Sequence, residues 1–111
     1  MNWQREGRHW PHRDASRFVD VGPMRWHVQC MGQGPVLLLL HGTGAATHSW
    51  RGLMPLLAAH FTVVAPDLPG HGFSGMPADR SGFTLPGMAR GVSELLRALK
   101  LKPQLIAGHS A

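Results

Sequence analysis

Five consecutive aliphatic residues, Val36 to Leu40, leave few folds open to this 111-residue chain. A run with no polar face must be covered on both sides, as a strand buried inside a sheet is. Turn residues bound it, with Gly32, Gln33, Gly34 and Pro35 before it and His41, Gly42, Thr43 and Gly44 after it. It is also far too short to cross a bilayer.

The segments around this run follow one alternation. Upstream, Phe18 to Val21 and Met24 to Cys30 flank a Gly22-Pro23 turn, which predicts a β-hairpin. Its second strand alternates apolar and polar residues, as a half-covered strand does. Downstream, Trp50, Leu53, Met54, Leu57, Ala58 and Phe61 recur at helical spacing and predict one buried stripe between Thr47 and Phe61. Pro55 leaves open a separate first turn at Ser49 to Leu53. Thr62 to Pro66 reads as a short strand and Asp67 to Ser81 as a Gly- and Pro-rich loop. The clearest helix has Leu85, Met88, Ala89, Val92, Leu95, Leu96 and Leu99 on one face, with Arg90, Glu94 and Arg97 facing out. Thr84 can cap it, and Pro86 suits its first turn. Pro103 ends the helical region, and Gln104 to Ala107 reads as the last strand. A hairpin followed by βαβαβ predicts an α/β fold with a mostly parallel sheet. Residues 1–16 read as an irregular, basic arm, and residues 17–111 as one domain.

Charge and composition exclude several functions. The formal charge is +5, but the densest basic group, Arg5, Arg8, Arg13 and Arg17, is interleaved with Glu6 and Asp14, so no nucleic-acid partner is expected. One cysteine, Cys30, cannot form an intrachain disulfide, and no apolar stretch of a secretory signal follows Met1, so a reducing, cytoplasmic location is expected. His9 and His12 flank Trp10 and Pro11 with no third ligand nearby, and no metal site is read from them. Gly70, Gly72 and Gly75 match the dinucleotide fingerprint as a string. The fingerprint needs its last glycine to open a helix, whereas Met76 to Asp79 continue a loop, so no nucleotide cofactor is expected.

The strongest chemical signal is Gly108, His109, Ser110, Ala111 directly after a predicted strand. A nucleophilic serine must stand clear of the sheet on a sharp turn with small neighbours, the logic of G-x-S-x-G. Four of five positions also suit an ordinary strand-end turn containing serine. The loop after Val36 to Leu40 favours chemistry, because acyl transfer places negative charge on a carbonyl oxygen and glycines let backbone N–H groups approach it. The donors read from the sequence are the N–H groups of Thr43 and Ala111. Asp67, at a strand end beside Pro-Gly, reads as an acceptor for loop amides rather than a catalytic carboxylate. Of the eight histidines, none is well placed as the general base for Ser110. His109 adjoins the serine and should point elsewhere, His41 lies in the oxyanion loop, and His27, His48, His60 and His71 read as structural or surface groups. The four tryptophans read as packing groups.

Together these residues resemble the α/β-hydrolase superfamily from about Arg17 to Ala111. The shared pieces are His41-Gly42 after the third strand, the Asp-x-Pro-Gly-x-Gly-x-Ser segment from Asp67 to Ser74 after the fourth, and the elbow after the fifth. Haloalkane dehalogenases and epoxide hydrolases of this superfamily carry aspartate at the elbow, so Ser110 argues against both activities. Trp10 to Arg13, Ser16 to Val19, Arg25 to Gln29 and His41 to Trp50 are further similar to the magnesium-chelatase accessory proteins of bacteriochlorophyll biosynthesis, with His12 where that family more often has asparagine. The resemblance implies the N-terminal half of an α/β-hydrolase domain, reaching only the elbow, with the triad acid and histidine beyond Ala111. It implies a serine nucleophile acting on an ester, thioester or related carbonyl of a small-molecule substrate. The alternative is a non-catalytic accessory protein that partners magnesium chelatase or binds a tetrapyrrole. The 111-residue chain by itself is expected to be inactive.

Overall fold

The computed structural model describes residues 1–42 and 44–109. Five strands form one sheet in the order β1-β2-β4-β3-β5: β1 (Ser16–Val21), β2 (Met24–Met31), β3 (Val36–Leu40), β4 (Thr62–Pro66) and β5 (Leu105–Gly108). The hairpin β1/β2 is antiparallel, and β2 also runs antiparallel to β4. Strand β3 lies between β4 and β5 and is parallel to both. The hairpin followed by parallel crossovers is the arrangement expected from the sequence.

The aliphatic run is covered on both faces. Leu37 and Leu39 pack with Met54, Val63 and Ala65 on one side, while Leu38 packs with Trp26, Val28, Val64, Val92, Leu95 and Leu96 on the other. The second face is closed by the long helix (Leu85–Leu99), capped as expected by Thr84 Oγ1, which accepts the Gly87 N–H at 3.0 Å. Gly91 lets this helix lie close against the Trp26 ring.

The stripe between Thr47 and Phe61 is divided, as Pro55 left open, into a 3₁₀ turn (Thr47–Trp50) and a single α-turn (Met54–Leu57). Pro55 supplies no N–H and enters the α-turn at its start, which separates the two pieces. Met54 is buried, whereas Leu53 is exposed. One expectation needs correction: β2 is covered on both faces. Met24, Trp26 and Val28 face the long helix, but His27 and Gln29 on the opposite face are also buried. The N-terminal residues lie over that face: the Gln29 side-chain NH2 donates to Pro11 O (2.8 Å) and His12 O (3.2 Å), and the Trp3 ring lies tilted with its centroid 5.2 Å from that of His27.

No helix among the described residues is long and apolar enough to cross a membrane. The opposite flank of the molecule is open. The long helix turns Leu85, Met88 and Ala89 toward an apolar groove of about 1120 Å³, floored by Leu38, Leu40 and Ile106. Leu85 is 84% exposed and Ile106 64%.

Candidate functional site

Parallel pairing fixes where the chemistry-bearing loops emerge. Leu40 of β3 stands opposite Gly108 of β5, and the His109 N–H donates to Leu40 O at 3.0 Å. The chain therefore leaves these neighbouring strands at the same level, at His41 after β3 and at His109 after β5. Carboxyl ends of parallel strands are where open α/β sheets place their ligands. The three residues read from the sequence as nucleophile and oxyanion donors, Ser110, Thr43 and Ala111, lie outside the described residues.

The described part of the first loop is held firmly. His41 is buried, its Nδ1–H donates to Gly42 O at 2.7 Å, and its Nε2 accepts the Leu68 N–H at 2.9 Å. Burial pushes its pKa below the usual histidine range, only partly offset by Gly42 O and by the Asp67 charge. A neutral ring whose Nε2 lone pair is already engaged cannot serve as a general base. His41 is instead a clamp between the loops that follow β3 and β4. His71 is tied similarly, Nδ1–H donating to Pro69 O at 2.9 Å.

Asp67 lies behind this loop, fully buried at the end of β4. Its Oδ1 accepts the Thr47 N–H at 2.7 Å, and its Oδ2 accepts the Phe73 N–H at 2.9 Å, as expected for a carboxylate that satisfies loop amides. Gly72 has φ +53°, and a Cβ there would collide with this carboxylate, so the tight turn around Asp67 requires glycine. Ser74 completes the loop, donating from Oγ to Asp67 O and accepting the His27 N–H.

Sequence reasoning missed one group. His27 Nδ1–H donates to Asp67 Oδ2 at 2.7 Å, and His27 Nε2 stands 2.8 Å from Ser16 Oγ. The Gln29 side-chain N–H reaches the same Ser16 oxygen at 3.1 Å. The hydrogen-bonded pairs lie 11 to 40 positions apart, so no spacing motif reports them. The only sequence signal was the polar alternation of β2, which also describes a strand facing water.

Comparison with known proteins agrees with this architecture. Residues 35–111 match the family model for the alpha/beta hydrolase fold. The chain is 47% identical over 104 residues to the magnesium-chelatase 30 kDa subunit of Rhodobacter capsulatus, covering 92% of this chain and 36% of that protein. It is 40% identical over 96 residues to a fluoroacetate dehalogenase of a Burkholderia species, covering 84% of this chain and 32% of that protein. Among solved structures, wild-type Cfl2 of Burkholderia cenocepacia superposes with a TM-score of 0.79 at 35% identity, covering 85% of this chain and 32% of that one. The chain thus spans about a third of the length of the curated relatives it matches. With the strand order, the level ends of β3 and β5, and a family match over most of its length, the chain belongs to the α/β-hydrolase fold family.

Proposed function

We propose that the chain carries the nucleophile side of a serine hydrolase site, in which Ser110 Oγ attacks the carbonyl carbon of an ester, thioester or related small molecule. The N–H groups of Thr43 and Ala111 would receive the charge that develops on the carbonyl oxygen, each such donor being worth on the order of 3 kcal/mol in the transition state. The observation that carries this reading is the Leu40–Gly108 register, because it starts both loops from adjacent strand ends. Asp67 and His41 support it by holding the first loop in place through Thr47 and Leu68.

A serine hydroxyl needs a base, and the Nε2 lone pair of His41, the histidine that follows β3, is already taken by the Leu68 N–H. The 111-residue chain is therefore expected to show no Ser110-dependent turnover of p-nitrophenyl acetate, and measurable turnover lost in Ser110→Ala would contradict this. In the full-length parent, a fluorophosphonate probe should leave its adduct on Ser110, within the tryptic peptide that begins at Leu101. Absence of that adduct from an active parent would end the assignment.

The likeness to a magnesium-chelatase subunit favours a second reading, in which the same fold partners the chelatase or binds a tetrapyrrole without catalysis. Binding of magnesium protoporphyrin to the full-length protein, followed by its Soret band and unchanged in Ser110→Ala, would favour it. No binding of either the porphyrin or the chelatase would remove it.

A further inference from the structure

We propose that Ser16 is a second activated hydroxyl, which accepts one acyl, phosphonyl or sulfonyl group from a small activated electrophile. The inference is independent of Ser110 and rests on residues far from the elbow in sequence. Ser16 opens β1, His27 lies on β2 and Asp67 follows β4, so three different strands contribute to the group.

The order of hydrogen bonds gives each residue one role. Asp67 accepts from two backbone N–H groups and from His27 Nδ1–H, so its carboxylate fixes the imidazole with the proton on Nδ1. The Nε2 lone pair then points at Ser16 Oγ, 2.8 Å away. With the ring proton on Nδ1, Nε2 can only accept, so the Ser16 hydroxyl donates to it. A carboxylate orienting an imidazole that accepts a serine proton is the arrangement by which a hydroxyl is activated, and it is recognised by geometry rather than by sequence position. His27 is 0% exposed and ringed by Trp3, Phe18 and Phe73 at centroid distances of 5.1–5.4 Å, so the base is shielded from water. Ser16 itself is only half-buried, at the start of the edge strand β1. The aromatic surroundings favour an electrophile with a small apolar or aromatic group.

With phenylmethanesulfonyl fluoride, Ser16 Oγ attacks sulfur, the Oγ–S bond forms and the S–F bond breaks. Fluoride leaves, and the hydroxyl proton passes to His27 Nε2, where the charged imidazolium faces the Asp67 carboxylate. With its base enclosed, the adduct has no activated water to remove it, so one equivalent per chain is expected.

The chain supplies its own controls. Ser16, Ser49, Ser74, Ser81, Ser93 and Ser110 fall on six different tryptic peptides, and Ser49, Ser81 and Ser93 are exposed. Treatment of the 111-residue chain with phenylmethanesulfonyl fluoride, followed by mass spectrometry of the digest, should modify peptide 14–17 on the order of a hundredfold faster than the peptides of those exposed serines. His27→Gln should abolish that preference. Modification of Ser16 at the same rate as Ser49, Ser81 and Ser93 in the unaltered chain overturns the proposal, whatever the variant does. An adduct confined to peptide 101–111 also overturns it, while leaving the Ser110 reading intact.

Discussion

The two flanks of this sheet are built on opposite principles. At the β1/β2 flank, every layer is closed: His27, Gln29 and Asp67 are buried polar groups, each hydrogen-bonded within the chain, under aromatic rings from the N-terminal residues. At the β5 flank, apolar surface faces outward from the long helix and from all of the last strand. A closed polar network resists local change, because a lost partner strands a buried charge. An open apolar face tolerates change within the chain but invites contact with other surfaces. The contrast teaches that the hairpin side encloses its polar groups, while the β5 side presents an uncovered apolar face.

The largest effect should come from breaking the closed flank at its hub. Asp67→Ala strands His27 Nδ1–H and the N–H groups of Thr47 and Phe73, and should cost about 3–5 kcal/mol in urea unfolding followed by tryptophan fluorescence. A loss below about 1 kcal/mol would show that water replaces these bonds cheaply and would dissolve the contrast.

The long helix tests both flanks within a single element. Leu95, fully buried, should lose about 2–5 kcal/mol as Leu95→Ala, since it leaves a cavity under the sheet. Leu85→Ala, on the groove side, should stay within about 0.5 kcal/mol. Equal losses would mean that the groove is covered in solution.

A smaller effect concerns His41, whose pKa is lowered chiefly by burial. Its unfolded form takes up a proton below about 6.5, before the folded form does. Stability carried by the neutral ring is therefore complete above that pH and is lost as the pH falls toward the depressed folded value. Between about pH 7.5 and pH 5.5, the unaltered chain should lose more stability than His41→Gln, whose side-chain oxygen can still accept the Leu68 N–H. Identical pH profiles for the two would show that His41 titrates normally.

The smallest effect on folding, though not on behaviour, belongs to the open flank. Leu85→Lys with Ile106→Lys should leave the unfolding midpoint nearly unchanged. It should also convert a self-associating or poorly soluble chain into a monomer by size-exclusion chromatography, because charge on an exposed edge strand opposes pairing. A sharp monomer peak for the unaltered chain would show that the apolar edge is harmless.

Much of this architecture was legible because it is periodic or punctuated. Val36 to Leu40 stated their two-sided burial by having no polar member, and Thr84 with Pro86 marked the start of the long helix. Gly22-Pro23 located the hairpin turn between β1 and β2. The stripe around Trp50 was legible only in part, because apolar spacing reports which residues want cover, while Pro55 decides whether the backbone can stay helical. Strand β2 misled for a related reason: alternation marks a polar face without saying whether water or the chain itself lies against it.

The sequence alone determined the order of elements, the strands of the sheet, the capped helix and the loop residues at two strand ends. Those features arise from neighbours within one turn or one strand, where backbone preference and side-chain periodicity act directly. The tertiary structure decided that His41 is a clamp and not a base. It also decided that Asp67 joins two loops, and that Ser16, His27 and Asp67 meet in one hydrogen-bonded line. Those outcomes depend on distances of a few ångströms between residues many positions apart, and only the packed sheet, with the N-terminal residues laid across it, brings them within reach.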